Sequence, residues 1–253
     1  MKKSSSVTKI VSAVIMLGAG SMLLATQTGD RIESSAKKSY VYKTYLKDDD
    51  ITIKTTDKNV VILTGSVADW SHRSLAEQTV AGLPGVLRVD NKLEVKGDKI
   101  EENSDAWLKM KVKTMLLFYS NVSSINTEVE VKDGIVTLRG EAESEAQKEL
   151  TTEYIKDLEG VQSVTNNLTV KNGKKSTAEK ISDKIDDASI TAQVKIALLF
   201  HRSTSATAIT VVTKNGIVTV SGLAKNDAEK ALVGKLVHNI KGVKSLKNEI
   251  KID

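Results

Sequence analysis

Glycines at a fixed spacing constrain this chain more than any other feature. Gly65, Gly140 and Gly222 are each followed twenty residues later by a second glycine. Other residue types recur at fixed distances from these glycines, and the matching columns are Asn59, Gly134 and Gly216; Asp69, Ser144 and Asn226; Gly85, Gly160 and Gly242; Asn91, Asn166 and Asn248. Because self-similarity at a fixed period is typical of repeat proteins, the sequence predicts three copies of one structural unit.

Turn and cap residues divide each unit into elements. The pairs Lys58-Asn59, Asp133-Gly134 and Asn215-Gly216 predict two-residue hairpin turns, in which both central residues have positive φ. The alternating apolar residues around the second and third turns predict half-buried strands. The Asp69, Ser144 and Asn226 column predicts helix N-caps, and the second glycine of each unit predicts the C′ position that ends that helix.

Two amphipathic helices are predicted in each unit. The first has the stripe Ile190, Val194, Ala197 and Leu198 in the third unit, Leu108, Val112, Met115 and Leu116 in the second, and Ile32, Ala36 and Tyr40 in the first. The second has Ala146, Leu150, Tyr154 and Leu158, or Ala228, Leu232, Leu236 and Ile240. Since a helical crossover joins parallel strands, we expect an α+β fold of three tandem αββαβ units. Each unit has a small mixed three-stranded sheet with two helices on one face.

The first 25 residues have the layout of a signal peptide. Lys2, Lys3 and Lys9 precede an apolar run that ends at Ala25, and this run is shorter than a membrane-spanning helix requires. We therefore expect residues 1–25 to direct export to the periplasm, with an uncleaved anchor as the alternative. The three units then occupy residues 30–98, 99–173 and 174–253, here called repeats one, two and three.

Charge is distributed unevenly among the repeats. The net charge of the whole chain is +5, and three of these charges belong to the predicted signal peptide. Repeat one has equal numbers of acidic and basic residues, repeat two has a net charge of −4, and repeat three has +6. A basic surface favours an anionic partner. Because export makes nucleic acid an unsuitable partner, the excess in repeat three points instead to an anionic membrane surface.

The run from Asp187 to Leu198, the strand from Asn215 to Gly222, and Gly242-Val243 resemble the BON domain of bacterial osmotically inducible and nodulation proteins. Repeat two is similar through Val112-Lys113 and the strand from Asp133 to Gly140, whereas repeat one departs from the pattern in its first helix and at Asn59. The resemblance implies a periplasmic protein of the envelope-stress type whose domains attach to phospholipid membranes. The osmotically induced members carry two such domains, whereas this chain has three.

No pattern of catalytic or metal-binding residues is present. The three histidines, His72, His201 and His238, stand at non-equivalent positions, and the sequence contains no cysteine and no nucleophile, P-loop or zinc-protease motif. The acidic run 48–50 lacks the spacing of a calcium loop, which favours a solvated turn. The column of asparagines favours hydrogen bonding to the backbone. We expect neither enzymatic activity nor a cofactor or metal ion.

Candidate lipid-binding residues lie in repeat three. Ile196, Leu199 and Phe200 form a second apolar patch on its first helix, flanked by Lys195 and Arg202. Further cations lie on or beside its second helix, and those chosen as candidates are Lys235, Lys241 and Lys244. The alternative is that the patch packs between repeats and that the lysines form an ordinary solvated face. Trp70 and Trp107 are likewise either interfacial anchors or parts of the core.

Two functions remain open. The first is association with anionic phospholipid surfaces, mainly through repeat three, in support of the envelope under stress. The second is a protein-interaction or chaperone-like role, in which the apolar helix patches hold envelope proteins.

Overall fold

The computed structural model describes residues 29–97, 100–122, 127–171 and 184–253. The predicted signal peptide, residues 1–25, lies outside the described residues. Within the described residues the expected order of elements occurs three times, and the α+β fold is confirmed.

The elements of each repeat are as follows. Repeat one contains helical residues 29–38 (α1), α2 (Tyr40–Thr44), β1 (Asp50–Thr55), β2 (Val60–Val67), α3 (Trp70–Ala81) and β3 (Arg88–Val95). Repeat two contains α4 (Asp105–Phe118), β4 (Thr127–Lys132), β5 (Ile135–Ala142), α5 (Glu145–Lys156) and β6 (Ser163–Val170). Repeat three contains α6 (Asp187–Phe200), a 3₁₀ turn (Ala206–Ala208), β7 (Ile209–Lys214), β8 (Ile217–Ala224), α7 (Asp227–His238) and β9 (Ser245–Ile252).

Each repeat has its own three-stranded sheet with the second strand in the centre. The first two strands are antiparallel, and the third is parallel to the second. In repeat three, for example, Val211 pairs with Val220, which pairs with Asn248. The sheets are therefore mixed, as the helical crossover predicted.

The hairpin prediction is confirmed in repeats two and three and wrong in repeat one. Both central residues have positive φ at Asp133-Gly134 and at Asn215-Gly216. In repeat one the backbone N–H of Thr56 donates to the carbonyl of Val60 at 2.9 Å, which leaves a three-residue loop. Only Asn59 there has positive φ. This is the arrangement of a type I turn followed by a left-handed residue.

In repeats one and three, the first glycine allows the neighbouring backbone to approach closely. Gly222 has φ of 123°, and a Cβ there would lie 2.0 Å from the carbonyl oxygen of Ala208. Gly65 has the same relation to Asp50. A side chain at this column would collide with backbone, so glycine is required.

The predicted N-caps are confirmed, but the predicted C′ glycines are wrong. The side chains of Asp69, Ser144 and Asn226 each accept a hydrogen bond from the backbone N–H three residues later. However, α5 ends at Lys156 and α7 at His238, well before Gly160 and Gly242. These glycines have positive φ, and the short segments 157–159 and 239–241 that precede them are free to make other contacts.

The stripes predicted for the first helices are confirmed in repeats two and three, and those for the second helices are partly wrong. Ala146 and Ala228 are exposed, whereas Ile155 and Val233 are buried. A strict four-residue spacing rotates about 40° per step around a helix. A stripe that is buried at Tyr154 and Leu236 therefore no longer faces the core about two turns earlier, at Ala146 and Ala228.

Repeats two and three join through a reciprocal exchange of backbone hydrogen bonds. The N–H of Lys241 donates to the carbonyl of Phe118, and the N–H of Glu159 donates to that of Phe200, both at 2.9 Å. A second equivalent pair links Ser120 to Asn239 and Arg202 to Asp157, both at 3.1 Å. Because each of these four backbone hydrogen bonds has a counterpart at the same relative position, the backbones of the two repeats meet as those of the subunits of a two-fold dimer do.

Repeat one makes a different kind of join. Pro84 occupies the position of Glu159 and Lys241 and has no N–H to donate. Repeat one instead uses side-chain acceptors on repeat three, with the N–H of Tyr40 donating to Asp186 at 2.7 Å and that of Val41 donating to Ser189 at 3.0 Å. These two acceptors lie at the start of α6, so repeat one packs beside the paired repeats.

An aromatic cluster lies where the three repeats meet. The rings of Trp70 and Trp107 are 5.1 Å apart, and Trp70 lies 5.9 Å from the ring of Phe200. Trp107 and Phe200 are buried. Both tryptophans therefore belong to the packing between repeats, which was the second of the two alternatives for them.

Candidate functional site

The apolar patch predicted on α6 divides between the interior and the surface. Ile196 and Phe200 are each 1% exposed, whereas Leu199 is 44% exposed. The Nζ of the buried Lys111 lies 5.7 Å from the centre of the Phe200 ring. Ile196 and Phe200 therefore pack between repeats and are not available to a membrane in this arrangement. Eleven of the fourteen residues of α6 are buried, because this helix is covered by its own sheet and by both neighbouring repeats.

The predicted cations also have different surroundings. Lys241 donates from Nζ to the carbonyl of Leu117 at 2.8 Å, and burial lowers the pKa of its amine. It stabilises the end of α4 and the reciprocal join. Arg202 is exposed and bonds to the carbonyl of Lys156 across the same join. Lys195 is half-buried, while Lys235 and Lys244 are exposed.

The outer face of the third sheet is a more continuous surface. Among the described residues, helices cover only the inner face of this sheet. The side chains that alternate with the inward ones along each strand therefore point outward. They define the sheet-three face, which consists of Thr210, Val212, Lys214, Ile217, Thr219, Ser221, Leu223, Ser245, Lys247, Glu249 and Lys251. Val212 is 58% exposed, Leu223 46% and Ile217 38%. Large apolar side chains thus lie in the open among lysines.

The register shows how these side chains are interleaved. Lys214 pairs with Ile217 across β7 and β8. Thr219 lies between Val212 on one side and Lys247 on the other. Leu223 pairs with Lys251. Each exposed apolar side chain therefore lies within one or two strands of a lysine, because neighbouring strands are separated by about 5 Å.

The equivalent face of repeat two has a different character. Val212 and Leu223 are replaced there by Glu130 and Glu141, and the counterparts of Lys247 and Lys251 are threonines. Its charges are largely paired, with Arg139 bonded to Glu130, and Lys171 lying 3.0 Å from Glu141. Within the described residues, no lysine of the sheet-three face forms an ion pair. Repeat three thus presents uncompensated positive charge where repeat two presents acidic groups.

Sequence reasoning missed the sheet-three face because it examined only the inward residues of the strands. The alternation that identifies β7 and β8 also shows their outward residues, and Val212 and Leu223 stand there where polar residues are usual. An apolar residue at an outward position of a half-exposed strand was therefore the available signal.

The other residues considered for chemistry have structural roles. The amide of Asn166 donates to the carbonyl of Lys148 at 2.8 Å, and that of Asn248 donates to Lys230 at 2.9 Å. The asparagine column therefore ties the last strand to the second helix. Asp49 is not solvated as the acidic run suggested, because its carboxylate accepts from the Ala68 N–H at 2.7 Å and lies 2.6 Å from the His72 ring.

His201 lies within the reciprocal join. It is buried, and its Nδ1 accepts a hydrogen bond from the N–H of Ser203 at 3.2 Å. Burial lowers the pKa of its imidazole, nearby Arg202 acts in the same direction, and Asp157 opposes both. In the part of the chain that the structure describes, acidic and histidine side chains form no group of three or more suited to a metal ion.

Within the four described segments, every helix is too short or too polar to cross a lipid bilayer.

Comparison with known proteins agrees with the repeated fold. The family model described as "BON domain" matches residues 28–97, 104–172 and 186–253. The chain therefore belongs to the BON domain family. It is also similar to the "Osmotically-inducible protein Y" of Escherichia coli (strain K12), with 28% identity over 191 residues, which cover 76% of this chain and 92% of that protein.

Two solved structures show weaker similarity. The C-terminal domain of CdsD, a structural protein of the Type III secretion system of Chlamydia trachomatis, is 15% identical with a TM-score of 0.22, covering 84% of this chain and 94% of that one. The PrgH periplasmic domain is 10% identical with a TM-score of 0.20, covering 80% and 95%.

Proposed function

We propose that this BON-domain protein is exported to the periplasm, where it binds anionic phospholipid surfaces through the sheet-three face. It has no catalytic role and supports the envelope under osmotic or related stress. The observation that carries the proposal is the combination of exposed apolar side chains with unpaired lysines on one uncovered sheet. The signal-peptide pattern of residues 1–25 supports the compartment, and the similarity to an osmotically inducible protein supports the stress.

The two parts of the face contribute in different ways. Lys214, Lys247 and Lys251 each contribute about 1 kcal/mol near an anionic surface, and Glu249 opposes them. Val212, Ile217 and Leu223 add apolar area that enters the boundary between headgroups and acyl chains. Neither part is large enough alone for stable attachment. Binding is therefore reversible and sensitive to lipid charge.

The protein-interaction alternative receives less support from the packing. It relied on an exposed apolar patch on α6, and of that patch only Leu199 is accessible. A partner would have to displace repeat one to reach Phe200.

Co-sedimentation with vesicles tests the proposal. The protein is mixed with phosphatidylglycerol vesicles or phosphatidylcholine vesicles at low and high salt. We expect binding to the anionic vesicles alone and a marked loss of binding at 0.5 M salt, because salt screens exposed charges. Equal binding to both lipids, or no binding to either, would contradict the proposal.

A further inference from the structure

A groove of about 230 Å³ lies where repeat one packs against repeat three. One wall is α3, the other is α6, and the floor includes the inward residues at the start of β7. Its apolar lining comprises Ile196, Leu198, Leu199, Ala206, Ile209 and Val211. Ile209 and Val211 point to the side of β7 opposite to Val212, because successive side chains of a strand alternate between its two faces. The groove therefore lies on the helix side of the sheet, away from the sheet-three face.

The polar lining of the groove consists of one cation, Lys195, one amide, Gln78, and the hydroxyls of Ser74 and Thr207. Lys195 lies one helical turn before the exposed Leu199, and Ser74 and Gln78 lie one turn apart on α3. Among the described residues that line the groove, Lys195 is the only charged one, and it forms no ion pair. An apolar channel with one unpaired cation and neutral donors nearby is complementary to a molecule with an apolar chain and one negative charge.

The size of the groove restricts its occupant. Pockets for drug-sized ligands hold about 300–1,000 Å³, and this groove is smaller. A volume of about 230 Å³ suits one acyl chain better than the two chains of a phospholipid.

We propose that this groove binds a single-chain anionic amphiphile, such as a fatty-acid carboxylate, with the chain on the apolar floor and the headgroup at Lys195. The hydroxyl of Ser74 and the amide of Gln78 are available as further donors to the headgroup. The site depends on both repeats, since α3 belongs to repeat one and α6 to repeat three. It is separate from the membrane-binding face and does not depend on it.

Calorimetric titration with dodecanoate, below its micelle concentration, tests the proposal. We expect one saturable site per chain and no comparable binding of dodecylammonium, which carries the opposite charge. Decanoate, with two methylenes fewer, is expected to bind roughly tenfold more weakly, because each buried methylene contributes about 0.8 kcal/mol. Absence of saturable dodecanoate binding, or equal binding of dodecylammonium, would overturn the proposal.

Substitution of Lys195 separates recognition from folding. Lys195→Met keeps the apolar stem and removes the charge, so dodecanoate should bind about fivefold more weakly while the neutral dodecanol is unaffected. Lys235 is an exposed lysine on α7, so Lys235→Met serves as the matched control. It should change the binding of neither dodecanoate nor dodecanol. If Lys195→Met left dodecanoate binding intact, the headgroup assignment would be wrong.

Discussion

Repeats two and three share one arrangement of strands and helices, but the outer faces of their sheets carry different side chains. They share the hairpin turns, the N-caps, the asparagine ties and the reciprocal join. They differ at outward strand positions, where Glu130, Glu141, Thr165 and Thr169 correspond to Val212, Leu223, Lys247 and Lys251. Outward residues contribute little to the core, so they are free to vary without loss of the fold. If the proposed function is correct, the outer sheet faces give repeats two and three different affinities for an anionic membrane.

Replacing the outward residues of repeat three by those of repeat two should have the largest effect. The fourfold variant Val212→Glu, Leu223→Glu, Lys247→Thr and Lys251→Thr removes two lysines and adds two carboxylates. We expect its binding to phosphatidylglycerol vesicles to fall by about a thousandfold, because the charge of the face changes by four units at about 1 kcal/mol each. Vesicle titration measures the change.

Two controls accompany this variant. Its thermal midpoint should stay close to that of the parent, because the four residues are exposed, and its dodecanoate binding should be unchanged. If the folded fourfold variant bound vesicles as tightly as the parent protein, the sheet-three face would not be the membrane-binding surface.

The asparagine ties should matter in both repeats, and more in repeat two than in repeat three. Asn166→Ala and Asn248→Ala each remove the amide that holds the last strand to the second helix, at a cost of roughly 1–3 kcal/mol. Asn166 bonds in addition to Thr152 at 2.7 Å, where repeat three has Gly234, so its loss should be the greater. Urea unfolding measures both, and a negligible cost at either position would show that the tie is unimportant.

The smallest expected difference concerns acid stability. His201 occupies the place of Tyr119 in the join, and burial lowers its imidazole pKa below the ordinary value of 6.5. The unfolded chain therefore binds a proton more readily than the folded one, so stability is full above about pH 6.5 and declines as the pH falls below it. His201→Tyr should flatten this decline between pH 6.5 and 5 in thermal unfolding. An identical decline in the variant would exclude His201 as its cause.

Local features of the fold were predictable from the sequence, because they depend on neighbouring residues. The turn at Asn215-Gly216, the cap at Asn226 and the tie at Asn248 each require a particular residue type at a short distance. The three-residue loop before Val60 was missed because the loop is one residue longer than those of repeats two and three. Asn59 still stands at the position expected for a two-residue turn. The ends of α5 and α7 were missed because Gly160 and Gly242 do not end the helices. Each adopts its positive φ after a short segment that follows the helix.

Contacts between repeats were not predictable in the same way. The apolar patch on α6 was visible, but periodicity alone does not distinguish a surface for lipid from a surface for another repeat, and Phe200 proved to be buried. The reciprocal join uses backbone groups of residues as different as Glu159 and Lys241, so side-chain patterns do not indicate it. Pro84 was the one available sign that repeat one joins differently.

The reverse exchange shows whether the outer sheet residues determine membrane association. Glu130→Val, Glu141→Leu, Thr165→Lys and Thr169→Lys would give the sheet of repeat two the outer residues of repeat three. Introduced into the fourfold repeat-three variant, these changes should restore salt-sensitive binding to phosphatidylglycerol vesicles, with no binding to phosphatidylcholine. If the folded eightfold variant failed to bind anionic vesicles, the outer sheet residues would not be the determinant of membrane association.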